Sequence, residues 1–86
     1  MAEDTILIGN DHGGYELKQH IIGHLKEKGY SCLDMGSYSA DISRYPYYAS
    51  KVAGAISKGE YKRGILICSS GIGMSIMANK YPGVRA

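Results

Sequence analysis

Most of the reactive side chains in this 86-residue chain fall in two short segments, Asn10-Asp11-His12-Gly13-Gly14 and Cys68-Ser69-Ser70-Gly71-Ile72-Gly73. Cys68 ends an apolar run and precedes a glycine-bearing loop that leads into a helical stretch. A thiol before a helix N-terminus sits in a partly positive field, which favours the thiolate as base or nucleophile. The backbone N–H groups of such a loop can hold an oxyanion or a phosphate. The alternative for Cys68 is a small buried hydrophobe, the usual role of a free cysteine. Asp11 and His12 place a carboxylate beside an imidazole, a pair suited to proton transfer or anion binding. Asp11 can equally cap the helix that follows, and the two roles are compatible.

These segments need elements to position them. Thr5-Ile6-Leu7-Ile8 reads as a first strand ending at Gly9. Residues 15–28 read as a helix, with Leu17, Ile21, Ile22 and Leu25 as its apolar stripe and Glu16, Lys18, Lys26 and Glu27 off it. Gly29 is its stop. Residues 30–35 form a second strand closed by Gly36, and residues 37–44 a polar loop. Pro46 suits the first turn of a second helix running to about Ser57, with Tyr48, Val52 and Ile56 on one face. Residues 64–68 form a third strand, and Met74 to Lys80 begins a third helix that Pro82-Gly83 ends.

This β-α-β-α-β-α order predicts parallel strands with right-handed helical crossovers. With strand one placed centrally, the expected fold is an α/β, Rossmann-like three-layer domain with a parallel sheet of strand order 2-1-3. Ligands of such sheets bind beyond the carboxyl ends of the strands, where the topology reverses. That point lies between strands one and three, where the Asp11 and Cys68 segments converge. Ile65-Leu66-Ile67 is apolar without alternation, as in a strand covered on both faces. In a 2-1-3 sheet it nonetheless falls at an edge, so either helices cover both faces or another strand pairs with it.

The remaining candidates are weaker. His20 and His24 are spaced four apart on the first helix, but no third ligand accompanies them, so packing or exposure is favoured. Cys32 lies inside strand two and reads as a packing residue. With strand one between them, Cys32 and Cys68 would lie about 9–10 Å apart, beyond the roughly 7 Å that a disulfide spans. Tyr45, Tyr47 and Tyr48 surround the start of the second helix, where most are expected to pack and one could reach the site through its hydroxyl. The cysteine loop lacks the lysine of a GxxxxGK[ST] phosphate loop. It approaches the C-x5-R loop of cysteine phosphatases, but Met74 stands at the arginine position. It also resembles the phosphocysteine loop of sugar phosphotransferase carrier domains, in which the cysteine follows the first strand rather than the third.

Composition narrows the class further. Lys plus Arg is 10 and Asp plus Glu is 8, with the basic residues scattered, so no nucleic-acid-binding face is expected. A hydrophobic share of 44% suits a globular chain and is too high for a disordered one. No run is long enough for a membrane span, and the first residues do not form a secretory leader, so a cytoplasmic location is expected. Two cysteines do not make a disulfide scaffold.

Several stretches together resemble the type B ribose-5-phosphate isomerase family, which includes the galactose-6-phosphate isomerase subunits. They are Gly9-Asn10-Asp11-His12-Gly13-Gly14-Tyr15-Glu16-Leu17-Lys18, Asp34-Met35-Gly36, Tyr45-Pro46 with Tyr48-Ala49, Gly64 through Ile76, Ala78-Asn79-Lys80 and Pro82 through Ala86. The resemblance implies an aldose–ketose isomerase that moves a proton between C1 and C2 of a sugar phosphate through an enediolate. It implies Cys68 as the base, since a branch of the family that uses a glutamate after the loop would place it where this chain has Met74. Ser70 and the amides of Gly71, Ile72 and Gly73 would stabilise the enediolate oxygen. Asp11 would bind sugar hydroxyls, His12 the phosphate, and Tyr45 would line the pocket. No metal or organic cofactor is implied, and the expected assembly is a homodimer or higher homo-oligomer.

Ser69-Ser70 stands where Gly-Thr is common, which keeps the hydroxyl at Ser70, and Arg44 stands where an acid is usual. The match corresponds to the N-terminal part of a typical member, about three fifths of it. Two further strands, the ring-opening histidine and the phosphate-clamping arginines would lie beyond it, and His20 and His24 are not their counterparts. Two other classes remain open: a non-catalytic phosphate-binding or dimerisation module, and a phosphocysteine carrier domain.

Overall fold

The computed structural model describes residues 4–38 and 45–86, with the side chain of Tyr45 outside the description. Strand β1 spans Ile6–Asn10, a 3-10 turn His12–Gly14, and helix α1 Tyr15–Glu27. Strand β2 spans Cys32–Asp34, helix α2 Tyr45–Ser57, strand β3 Arg63–Ile67 and helix α3 Ile72–Ala78. The sheet is parallel, as the alternation of elements predicts, and its order β2-β1-β3 has the first strand in the centre as expected. Helices α2 and α3 pack together over one face of the sheet, and α1 covers the other.

The close packing of α2 on the sheet depends on two glycines. A Cβ on Gly9 would stand 2.9 Å from Val52 Cγ2, and one on Gly64 would stand 2.6 Å from Val52 Cγ1. Val52 of α2 therefore sits directly over β1 and β3. Leu7, Val52 and Ala55 form the buried cluster there, with Met35, Ile56, Tyr61 and Leu66 packed around it. This corrects the placement of Gly9, expected as the end of strand one: it lies inside β1, and the strand continues to Asn10.

Helix α1 differs from its expected stripe by one residue, and the difference has a cause. Leu17 is 53% exposed, whereas Lys18 is 0% exposed. The inward face runs from buried Lys18 through half-buried Ile21, Ile22 and Leu25, the i, i+3, i+4, i+7 spacing of a helical stripe. Lys18 reaches past the sheet edge to Asp34 at the end of β2, and this ion pair takes the place expected of Leu17. The helix stops where expected: Gly29 takes a φ of +88°, the Gly29 N–H donates to the Lys26 carbonyl and the Tyr30 N–H to that of Leu25, which is a Schellman closure.

Among the described residues β3 pairs with β1 alone, so its other edge is open. Arg63 and Gly64 are exposed there, and Ile65 and Leu66 are half-buried. No helix among the described residues is long and apolar enough to cross a membrane. Of the polar loop expected over residues 37–44, the part from 39 to 44, with Arg44, lies outside the described residues.

Candidate active site

Register brings the two reactive segments together. Asn10 at the end of β1 pairs with Ile67 at the end of β3, so Asp11 and Cys68 leave the sheet at the same level. The Asp11 N–H donates to the Ile67 carbonyl at 3.1 Å, extending the ladder by one bond. Asp11 then turns the chain: its Oδ1 accepts the Gly13 N–H at 2.9 Å, and its carbonyl accepts the Gly14 N–H at 3.1 Å. It caps the 3-10 turn that leads into α1, so the capping role expected for it is present. The turn lies hard against the other segment. A Cβ on Gly13 would stand 2.3 Å from Ser69 Oγ, and one on Gly14 would stand 2.7 Å from the Ile67 carbonyl oxygen. Only glycines permit this approach.

The cysteine loop is closed by its own side chains. The Gly71 N–H donates to Cys68 Sγ at 3.1 Å, and the Ile72 N–H donates to Ser70 Oγ at 3.2 Å. Gly71 takes a φ of +79° and caps α3, so the helix begins at Ile72, two residues before the expected Met74. Gly71, Ile72 and Gly73 thus lie at its start, where amides have no partner from a preceding turn. Ser69, Ser70 and Ile72 are exposed, and Cys68 and Gly73 are half-buried. Met74 is 2% exposed and turned toward α2, so the first turn of α3 presents no ionisable group to the site.

The other candidates take these places. His12 is exposed in the 3-10 turn. Tyr45 opens α2, and its side chain lies outside the described residues. Tyr48 packs on Gly36, where a Cβ would stand 2.7 Å from its ring, and Tyr47 is exposed, with ring centroids 5.0 Å apart in an edge-to-face pair. Both cysteines are free thiols, and burial pushes the Cys32 thiol up. His20 and His24 are both exposed on α1, and the described residues hold no cluster of three metal-ligating side chains. A groove of about 400 Å³ runs between α2, β3 and α3, bordered by Val52, Leu66, Met74 and Val84. Among the described candidate residues only Gly71 borders it.

A polar cluster not evident from the sequence, made of Asn10, Lys18, Asp34 and Ser37, lies beneath the Asp11 turn. Asn10 is fully buried. Its Nδ2 donates to the Asp11 carbonyl at 2.7 Å and to Ser37 Oγ at 3.1 Å. The available signal was the phase of α1, which puts Lys18 rather than Leu17 in line with Ile21, Ile22 and Leu25.

The fold and this convergence define a Rossmann-like α/β protein with a free thiol and a capped carboxylate at the switch point of a parallel sheet. Residues 6–86 match the Ribose/Galactose Isomerase family, and the chain belongs to it. It is 49% identical over 81 residues to ribose-5-phosphate isomerase B of Escherichia coli (strain K12), covering 94% of this chain and 54% of that one. It is 40% identical over 82 residues to the 4-deoxy-4-sulfo-D-erythrose isomerase of Clostridium sp. (strain MSTE9), covering 94% and 52%. Ribose-5-phosphate isomerase B of Clostridium thermocellum superposes with a TM-score of 0.91 at 49% identity, covering 94% of this chain and 55% of that one. The chain thus spans about half the length of the relatives it matches.

Proposed function

We propose that this chain is the N-terminal part of an aldose–ketose isomerase subunit that interconverts ribose 5-phosphate and ribulose 5-phosphate, in a homodimer or higher homo-oligomer. The observation that carries this reading is the contact between the Asp11–Gly14 turn and the Cys68–Gly73 loop, set by the Asn10–Ile67 register. That contact supports a site in which the Cys68 thiol, the Asp11 carboxylate and the loop amides serve one substrate. Family membership supports the substrate class.

In the proposed reaction the Cys68 thiolate takes the C2 proton of the open-chain aldose, leaving a cis-enediolate. The same thiol returns the proton to C1 to give the ketose, while a proton moves from O2 to O1. No atoms are gained or lost. Cys68 is the proposed base, since Met74 occupies the position after the loop where a glutamate would be the alternative. The amides of Gly71, Ile72 and Gly73, with Ser70 Oγ, would meet the developing oxyanion as fixed donors. The Gly71 and Ile72 N–H groups rest on Cys68 and Ser70, so this role requires them to turn from those partners to the substrate oxygen. Asp11 would accept the sugar hydroxyls, His12 would hold the phosphate and Tyr45 would line the pocket.

The test is Cys68→Ala in the longest natural chain that carries this sequence. Loss of a positioned general base lowers kcat by about 10²–10⁴-fold, with KM little changed. Isomerase activity within tenfold of the parent would remove Cys68 from the mechanism. Binding of ribose 5-phosphate by the parent without turnover would favour a phosphate-binding module, and phosphate on Cys68 after incubation with a phosphodonor would favour a carrier domain.

A further inference from the structure

Lys18 is the only lysine of α1 that is fully buried, and its surroundings explain what holds it. Its Nζ lies 2.9 Å from Asp34 Oδ1 and donates to the Ser37 carbonyl. The rings of Tyr15 and Tyr38 flank it, with centroids 5.2 and 5.5 Å away, within the range of a cation–π contact. The same Asp34 oxygen accepts the Gly36 N–H at 2.9 Å, so one ion pair fixes both Gly36 and Ser37 in the segment after β2.

That segment is bonded in turn to the end of β1. The Asn10 N–H donates to the Gly36 carbonyl at 2.7 Å, and the Ser37 N–H donates to the Asn10 carbonyl at 3.0 Å. Asn10 Nδ2 bridges Ser37 Oγ and the Asp11 carbonyl, while Asn10 Oδ1 accepts nothing among the described residues. The rotamer of Asn10 is thus set by its two donor contacts, one to Ser37 and one to Asp11. A continuous path runs from Lys18 through Ser37 and Asn10 to Asp11.

An apolar residue in place of a buried ion pair is often neutral or stabilising. Stability alone therefore does not account for a charge at this position. We propose that Lys18 is a positioning residue. With Asp34 it clamps Gly36 and Ser37 against Asn10, and so sets where the Asp11 carboxylate and the His12 turn stand for the sugar phosphate. The kinetic part of this inference rests on the isomerase reading above; the structural part does not.

Lys18→Met in the full-length chain keeps the stem and removes the ammonium. The expected result is a KM for ribose 5-phosphate raised at least tenfold, kcat changed less than threefold, and an unchanged rate of Cys68 alkylation. Asp11→Asn preserves the capping acceptor but removes the charge. In that background Lys18→Met should raise KM less than threefold further, because both changes act on the same contact. Additive effects, an unchanged KM, or a fall in kcat that tracks altered Cys68 alkylation would overturn the proposal. If Lys18→Met alone does not fold, Lys18→Met/Asp34→Asn removes both charges and is held to the same criteria. Hydrogen exchange is independent of activity: the Gly13 and Gly14 amides should exchange at least tenfold faster in the variant, with those of β3 unchanged. Equal protection in parent and variant would refute the clamp. If the parent turns over no sugar phosphate, the isomerase reading fails, and exchange alone decides the role of Lys18.

Discussion

Gly14→Ala tests whether the contact that assembles the site is as tight as the structure shows. Gly14 has φ −105° and ψ 5°, which alanine can adopt, so any effect is steric. The added Cβ would lie 2.6 Å from Ile67 Cγ2, 2.7 Å from the Ile67 carbonyl oxygen and 2.8 Å from Ile67 Cβ, where ordinary contacts begin at 3.4 Å. Two of these atoms belong to the backbone or its first branch, and the carbonyl already accepts the Asp11 N–H. The turn must therefore lift by about 0.6–0.8 Å. Overpacking of this kind costs about 1–3 kcal/mol, and the upper half of that range applies because no side-chain rotation relieves it. The comparison is Gly23→Ala, in the middle of α1, where a Cβ meets nothing within 4 Å. That change should stabilise by about 0.4–1 kcal/mol. Urea denaturation of the two variants in the full-length chain should separate them by about 2–4 kcal/mol. A displacement approaching 1 Å at a positioning group also costs on the order of 10²-fold in rate, so folded Gly14→Ala should lose kcat/KM accordingly. If Gly14→Ala proves as stable and active as Gly23→Ala, the two loops do not meet as described.

Leu7→Ala removes a fully buried side chain beneath Val52 and Ala55. It should cost about 2–5 kcal/mol in urea denaturation, and a loss under 1 kcal/mol would contradict the packing of α2 on β1. Burial raises the Cys32 pKa above its ordinary 9.0, so its thiolate fraction at pH 8 is smaller than that of a free thiol. Iodoacetamide labelling followed by mass spectrometry should show Cys32 reacting more slowly than a model thiol at pH 8, with a rate still rising beyond pH 9. A plateau at or below pH 9 would refute the shift.

The order of elements was legible because β1 and β3 hold short apolar runs and the longer helices carry a periodic face. Strand β2 is only Cys32–Asp34, shorter than the strand expected over residues 30–35. Alternating elements predict parallel strands, whereas the order 2-1-3 rests on placing strand one in the centre, and with it comes the convergence of the Asp11 and Cys68 segments. Element ends were less legible, for local reasons. Gly9 looks like a stop, yet it is a gap in the surface of β1 that Val52 and Leu66 fill. Ile72 and Gly73 are weak helix formers, but the left-handed Gly71 starts α3 at Ile72 regardless. Lys18 was read as solvent-facing because a lysine is seldom fully buried. Its partners lie 16 and 19 residues away in sequence, beyond any local pattern.

The two halves of the site are held in different ways, and this gives their residues different kinetic signatures. The Asp11 half rests on buried bonds from Asn10, Ser37, Lys18 and Asp34 that reach into α1 and β2. These bonds exist without substrate, which suits the proposed role of Asp11 in holding ground-state hydroxyls. The Cys68 half is closed by two bonds within an exposed loop, and the donors of those bonds are the ones an enediolate oxygen would claim. Exchange of a sulfur or hydroxyl acceptor for an oxyanion strengthens a hydrogen bond only when the charge develops. Contacts of this second kind act on the transition state more than on the bound sugar, so damage to the loop should appear in kcat. Damage to the Lys18 clamp should appear in KM, since it displaces groups that hold substrate and transition state alike.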